Sequence, residues 1–160
     1  METVWILKKK GTQSGRRGMG LPNGALYRMT EVVRHREKRL SALLALQGLS
    51  LHEWRALRIL YSFPGDVAMS EVIAHSQTDR TALGRTITQL VNRGWVARFP
   101  DPEDKRAVYL RVMPASRPIF DQARQWVADY DAQLMACLDD AGLSALDDAL
   151  QRMMLFIEPA

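Results

Sequence analysis

Thr81, Arg85, Thr88, Gln89 and Asn92 lie within one stretch that runs from Thr78 to Gly94. At about 100° per residue they share one side of a helix, with Arg80 beside its start. Each can donate a hydrogen bond and none is acidic. That is the chemistry of a surface that meets phosphates or the base edges of a DNA major groove. The opposite side gathers Leu83, Ile87, Leu90 and Val91, an apolar stripe suited to a core. Thr78 or Asp79 can cap the first turn, and Gly94 suits the left-handed position beyond the last. These residues alone also fit an ordinary amphipathic surface helix, so what surrounds them decides between the two readings.

Within the stretch, Arg85 projects from the centre of the polar face and suits bidentate pairing with guanine O6 and N7. Thr81 and Gln89, one turn either side, can read a neighbouring base or hold a phosphate. Ser70, Thr78, Arg80 and Thr86 fit phosphate clamps, which position a protein on DNA without specifying sequence. Other chemistries lack their residues. His35, His52 and His75 have no metal-binding spacing, there is no Gly-rich phosphate loop, and the single cysteine, Cys137, has no evident base. Neither catalysis nor a bound metal or cofactor is expected, and one cysteine excludes an internal disulfide.

The chain has 160 residues, 47% of them hydrophobic and 25% charged, which suits a globular fold with a real core. Its net charge of +4 is unevenly placed. Lys8, Lys9, Lys10, Arg16 and Arg17 make residues 1–20 a basic tail, either an arm for phosphates or a dispensable extension. Basic residues exceed acidic ones between Asp79 and Arg111, and the reverse holds after Met113. One face for a polyanion and another kept away from it would explain that pattern. No apolar run has membrane-spanning length, and a cytoplasmic location is expected.

The surrounding elements follow from punctuation and period. Pro22-Asn23-Gly24 is a turn, and a helix is predicted from about Ala25 to Leu46, ended by Gly48. Ser50-Leu51-His52-Glu53 matches a capping box for a helix that buries Trp54, Leu57 and Leu60 or Tyr61. After Pro64-Gly65-Asp66, Val67 to Met69 is extended and Ser70 to His75 forms a short helix. A tight turn at Gln77-Thr78 joins it to the donor-rich helix, making a helix-turn-helix. Residues 95–99 and 107–112 read as strands, with Val108, Leu110 and Val112 inward. The loop between them holds two prolines and ends in Lys105-Arg106. A hairpin placed there is a wing. Pro114 opens a long helix predicted to reach Gly142, with Cys137 packed on its apolar face. Ser144-Ala145-Leu146-Asp147 resembles a second capping box for a last helix. The two final helices carry more apolar surface than a small winged helix covers, and a homodimer interface accounts for the excess.

From about Leu49 to Val112 the chain resembles the MarR family of winged-helix transcriptional regulators. The likeness rests on Leu49-Ser50-Leu51-His52-Glu53-Trp54-Arg55, on Ser70-Glu71, on Asp79-Arg80-Thr81 through Leu90, and most specifically on Arg93-Gly94-Trp95-Val96 followed by Pro100-Asp101-Pro102-Glu103-Asp104-Lys105-Arg106-Ala107. It implies a mainly α fold with a small β-hairpin wing, a winged helix-turn-helix flanked by N- and C-terminal dimerisation helices. The corresponding segments are a tail (1–20), an N-terminal dimerisation helix (21–48), the DNA-binding lobe (49–112) and C-terminal dimerisation helices (113–160), in one compact domain.

The resemblance also implies a function: a dimeric repressor on pseudo-palindromic double-stranded DNA, released by a small ligand such as an aromatic carboxylate. An architectural or protein-interaction module without ligand control is the alternative. By the same resemblance Arg106 enters a minor groove, Asp104 orients its guanidinium and Lys105 attracts phosphate; a hairpin-bracing Asp104–Arg106 pair is the other reading. Tyr27, His35, His52, Trp54 and Arg55 lie on elements that would line a ligand pocket, although Trp54 suits the core better and His52 a solvated first turn. Gly84 departs from the family pattern, standing where serine or threonine is usual on the helix that reads DNA.

Overall fold

The structure is a computed structural model that describes residues 24–101 and 107–157. The chain divides into two units, one ending at Arg36 and the other beginning at Glu37. Helix α1 runs Ala25–Ala45. In the first unit Arg34 grips Glu31 one turn earlier, at 2.6 Å from Nη2 to Oε2, while Leu26, Val32 and Val33 stand exposed.

The second unit is built on α2 (Leu51–Tyr61), a two-residue strand β1 (Val67–Ala68), α3 (Met69–Ala74), α4 (Arg80–Asn92), β2 (Val96–Pro100) and β3 (Val108–Val112). A single 3₁₀ turn at Pro114–Ser116 then leads into α5 (Arg117–Met135) and α6 (Asp140–Ile157). The antiparallel sheet has the order β1-β3-β2. Val67 faces Leu110 across one side of β3, and Val96, Arg98 and Pro100 face Val112, Leu110 and Val108 across the other. Leu110, central in the sheet, is fully buried.

Local chemistry sets the element ends. Ser50 and Glu53 form the expected capping box: Glu53 N–H donates to Ser50 Oγ at 3.1 Å and Ser50 N–H to Glu53 Oε2 at 2.8 Å. Two helices end the same way. Gly48 at φ 66° follows α1 and Gly94 at φ 69° follows α4. At each, the glycine N–H and the next N–H reach back to carbonyls three and five residues earlier, to Ala45 and Leu44 in one case and Val91 and Leu90 in the other. A left-handed residue is needed there, and glycine supplies it without a Cβ clash.

Around these ends the core closes. Leu44, Leu49, Trp54, Leu57 and Leu60 meet Val72, Leu83, Ile87, Leu90, Val96 and Leu110. Phe120 from α5 stacks between Trp54 (5.3 Å between centroids) and Tyr61 (3.9 Å), and Tyr61 Oη shares a 2.9 Å hydrogen bond with Ser116 Oγ.

The C-terminal region departs from the sequence reading. Helix α5 ends at Met135, not near Gly142, and the last helix starts at Asp140, so Ser144 lies inside it and caps nothing. Asp139 takes the capping role, its Oδ1 accepting from Gly142 N–H at 2.8 Å. Cys137 therefore sits in the turn between the helices, exposed in this chain and not packed on a helix face. No residue of α6 is buried, and Leu155, Phe156 and Ile157 are 74%, 88% and 69% exposed.

Candidate nucleic-acid interface

Asp79 is the residue that starts α4. Its Oδ1 accepts from Thr81 N–H at 3.0 Å and from Ala82 N–H at 2.9 Å, satisfying two donors that the first turn leaves open. With the helix so begun, Leu83, Ile87 and Leu90 are buried, and Thr81, Arg85, Thr88, Gln89 and Asn92 are exposed. Arg80 is exposed beside the cap and Ser70 is exposed on α3, whereas Thr78 is half-buried, its N–H held by Ser76 Oγ at 3.0 Å.

Thr86 corrects the sequence reading. It is 6% exposed and its hydroxyl donates to Ala82 O at 3.1 Å, so it belongs to the inner face and cannot clamp a phosphate from there. It sits three residues after Leu83 and four before Leu90, where a helix turns every side chain inward. Its hydroxyl is satisfied within the helix, which makes that burial tolerable.

An open depression of about 490 Å³ lies along the outer face, lined by Thr81, Gly84, Arg85, Thr88, Gln89 and, from β2, Arg98. Arg98 was not among the residues expected at the site. Strand pairing explains its position: Arg98 stands opposite buried Leu110 and two residues after buried Val96. An inward-facing strand position that has run past the core opens beside the helix. The sequence signal was the two-residue spacing to Val96, which needs the strand register to become meaningful.

Several arginines of this unit are tied to carboxylates. Arg55 pairs with Glu37, Arg93 with Glu53, Arg111 with Asp66 and Arg117 with Asp121. Among the described residues, Arg80, Arg85 and Arg98 have no such carboxylate partner. Unneutralised guanidiniums around a concave surface make a field for a polyanion.

The far end of α4 is fastened by Arg93. Its guanidinium lies 3.5 Å above the Trp95 ring and donates to Gly48 O at 2.8 Å and to Glu53 Oε1 at 3.0 Å. One side chain thereby joins the turn after α1, the cap of α2 and the junction between α4 and β2. Burial alone would raise the Glu53 carboxyl, but the hydrogen bonds from Ser50 and Arg93 outweigh it and hold it below its ordinary value. Just before β1, Asp66 receives a fork from Arg111 of the central strand at 2.6 and 2.5 Å, and that hydrogen bond lowers the Asp66 carboxyl and raises the guanidinium.

The remaining expected residues divide. Asp104, Lys105 and Arg106 lie outside the described residues. Trp54 is 4% exposed and is a core residue stacked on Phe120, which removes it from a ligand surface. Arg55 is committed to Glu37, and His52 is exposed in the first turn of α2. Tyr27 and His35 are exposed residues of the first unit. No group of three or more His, Cys, Asp or Glu side chains among the described residues is arranged to hold a metal, and no helix there is long and apolar enough to cross a membrane.

Helix α3, the tight turn at Ser76–Thr78, helix α4 and the β2–β3 hairpin together define a winged helix-turn-helix. Comparison with known proteins agrees. The sequence profile described as the MarR family matches residues 47–107. An HTH-type transcriptional repressor of Mycobacterium bovis is 30% identical over 125 residues, which cover 75% of this chain and 87% of the repressor. The multiple antibiotic resistance protein MarR of Escherichia coli is 32% identical over 77 residues, covering 48% of this chain and 54% of that protein. This match therefore spans only about half of the relative's length.

A crystal structure of a MarR variant from E. coli complexed with operator DNA superposes with a TM-score of 0.71 at 25% identity, covering 80% of this chain and 92% of that one. BpsR of Bordetella bronchiseptica, whose DNA binding is regulated by 6-hydroxynicotinic acid, shares the fold at TM-score 0.65 and 19% identity, covering 79% of this chain and 98% of that one. This chain belongs to the MarR family.

Proposed function

We propose that this protein is a dimeric, sequence-specific DNA-binding regulator of transcription that acts as a repressor. The observation that carries the reading is the outer face of α4: exposed donors, two arginines without carboxylate partners among the described residues, and Arg98 arriving from the wing strand to complete a concave surface. Arg85 is assigned to a guanine edge. Thr81 and Gln89 contact neighbouring bases or phosphates, and Ser70, Thr78, Arg80 and Arg98 hold phosphates. Arg106, with Asp104 and Lys105, is assigned to the adjacent minor groove. The function requires no catalysis.

Self-association is supported by apolar surface that the single chain leaves open, on α6 and, separately, on the first half of α1. Two copies related by a two-fold axis would present their α4 helices to successive major grooves about 34–36 Å apart. Control by a small aromatic carboxylate extends the reading, on the family membership and on what is known of BpsR; a ligand can act only by binding one spacing of the two helices better than the other. Fluorescence anisotropy on genomic promoter fragments tests the whole. Tight, salt-sensitive binding that footprints as two half-sites, and that 6-hydroxynicotinic acid or a related acid weakens, is expected. Salt-insensitive or absent binding would favour a protein-interaction module instead.

A further inference from the structure

Gly84 is the one position on the outer face of α4 where the helix carries no side chain. A Cβ built there meets no heavy atom within 4 Å, and the residue does not have a positive φ, so neither packing nor backbone geometry in this chain requires glycine. Glycine in a helix interior is destabilising, and here nothing inside the molecule offsets it.

The surroundings suggest what does. Thr81 and Thr88 lie one turn to either side of Gly84 and line the same depression. The Thr88 hydroxyl donates to Gly84 O at 3.0 Å, so what that threonine offers outward is its methyl. Bare backbone at Gly84 and the Thr88 methyl make a small apolar floor. Arg85 and Arg98 line the same depression, and neither is paired with a carboxylate among the described residues. The major groove presents one apolar group, the C5-methyl of thymine, beside the O6 and N7 acceptors of guanine. Floor and guanidiniums match that pair of features.

We propose that Gly84 is a specificity-determining position, its notch admitting the C5-methyl of a thymine next to the guanine held by Arg85. This rests on the DNA-binding reading above and names the base step that it selects. The glycine lets the helix backbone come close to the methyl, and any side chain at position 84 would occupy that space. Arg98 faces the flanking phosphate.

The test starts from duplexes recovered by the full chain from a randomised pool. In the tightest of them each thymine is exchanged singly for deoxyuridine, which deletes only the methyl. One exchange per half-site, beside a guanine, is expected to weaken binding about three- to fivefold, the worth of one buried methyl. In Gly84→Ala that thymine-to-uracil ratio falls to about one, while Tm rises by about 2–4 °C because alanine is the better helix former. Lost discrimination in a more stable protein separates base reading from damage to the fold. Tight binding with no thymine dependence, or a Gly84→Ala protein that keeps the ratio, would overturn the proposal and leave DNA binding standing. Failure to enrich any duplex would instead overturn the DNA-binding reading together with it.

Discussion

Arg85 and Arg98 have the same chemistry, but only one of them could be found by counting along a helix. Arg85 lies opposite the Leu83–Ile87–Leu90 stripe, and periodicity alone sets it outward. Arg98 reaches the same depression only because β2 pairs with β3 in a register that sets it against Leu110. Pairing across residues 98 and 110 is not encoded by any local spacing. Thr86 is the reverse case: its polarity suggested exposure, whereas its position between Leu83 and Leu90 decided burial. The two arginines should fail differently. Arg85→Ala is expected to weaken the selected duplex by about tenfold or more and to relax preference at one base pair, since a bidentate guanine contact is worth about 1–3 kcal/mol of discrimination. Arg98→Ala should weaken all duplexes alike and reduce the salt slope by about one. Anisotropy titrations over a salt series, on selected and scrambled duplexes, distinguish base reading from phosphate holding.

At the level of elements, the reading helix is held at both ends by groups that touch no DNA in this account. Asp79 caps its start, and Asp79→Ala should cost about 1 kcal/mol, read as a lower urea midpoint. Arg93 fixes its end through Glu53, a buried carboxylate with a lowered pKa. Because the folded value lies below the unfolded one, this pair stabilises the protein above pH 4.5 and its contribution is lost as pH falls through the lowered value. Glu53→Gln should therefore lose about 1–3 kcal/mol at neutral pH and less in acid, giving a flatter acid limb in denaturation measured across pH. A parallel curve displaced at every pH would refute that assignment. Most element boundaries were legible because their signals are local: the Ser50–Glu53 box, the glycines at 48 and 94, the strand alternation around Leu110. The α5–α6 turn was not. Asp139 and Ser144 both suit an N-cap, and Gly142 looked like a stop signal, yet the structure uses Asp139 and carries Gly142 inside the helix. Choosing between competing caps depends on where α5 stops, which the apolar pattern through Cys137 and Leu138 obscured.

On the scale of the whole molecule, α4 and α6 leave different chemistry open. Arg80, Arg85 and Arg98 stand on α4 and β2 without carboxylate partners among the described residues, while α6 buries no residue and presents Leu155, Phe156 and Ile157. A stable single chain would not leave such a helix uncovered, so sedimentation velocity should give a dimer at micromolar concentration, and Phe156→Glu should shift it towards monomer. A wild-type protein that stays monomeric would remove the basis for a two-fold operator. Whether the outer face of α4 reads DNA sequence is decided by a single comparison. Wild-type and Arg85→Ala proteins are titrated onto the duplex selected by the wild type and onto a scrambled duplex of equal length. Arg85→Ala is expected to bind the selected duplex about tenfold or more weakly while its affinity for the scrambled one changes far less. Equal affinities of the two proteins for the selected duplex would contradict it.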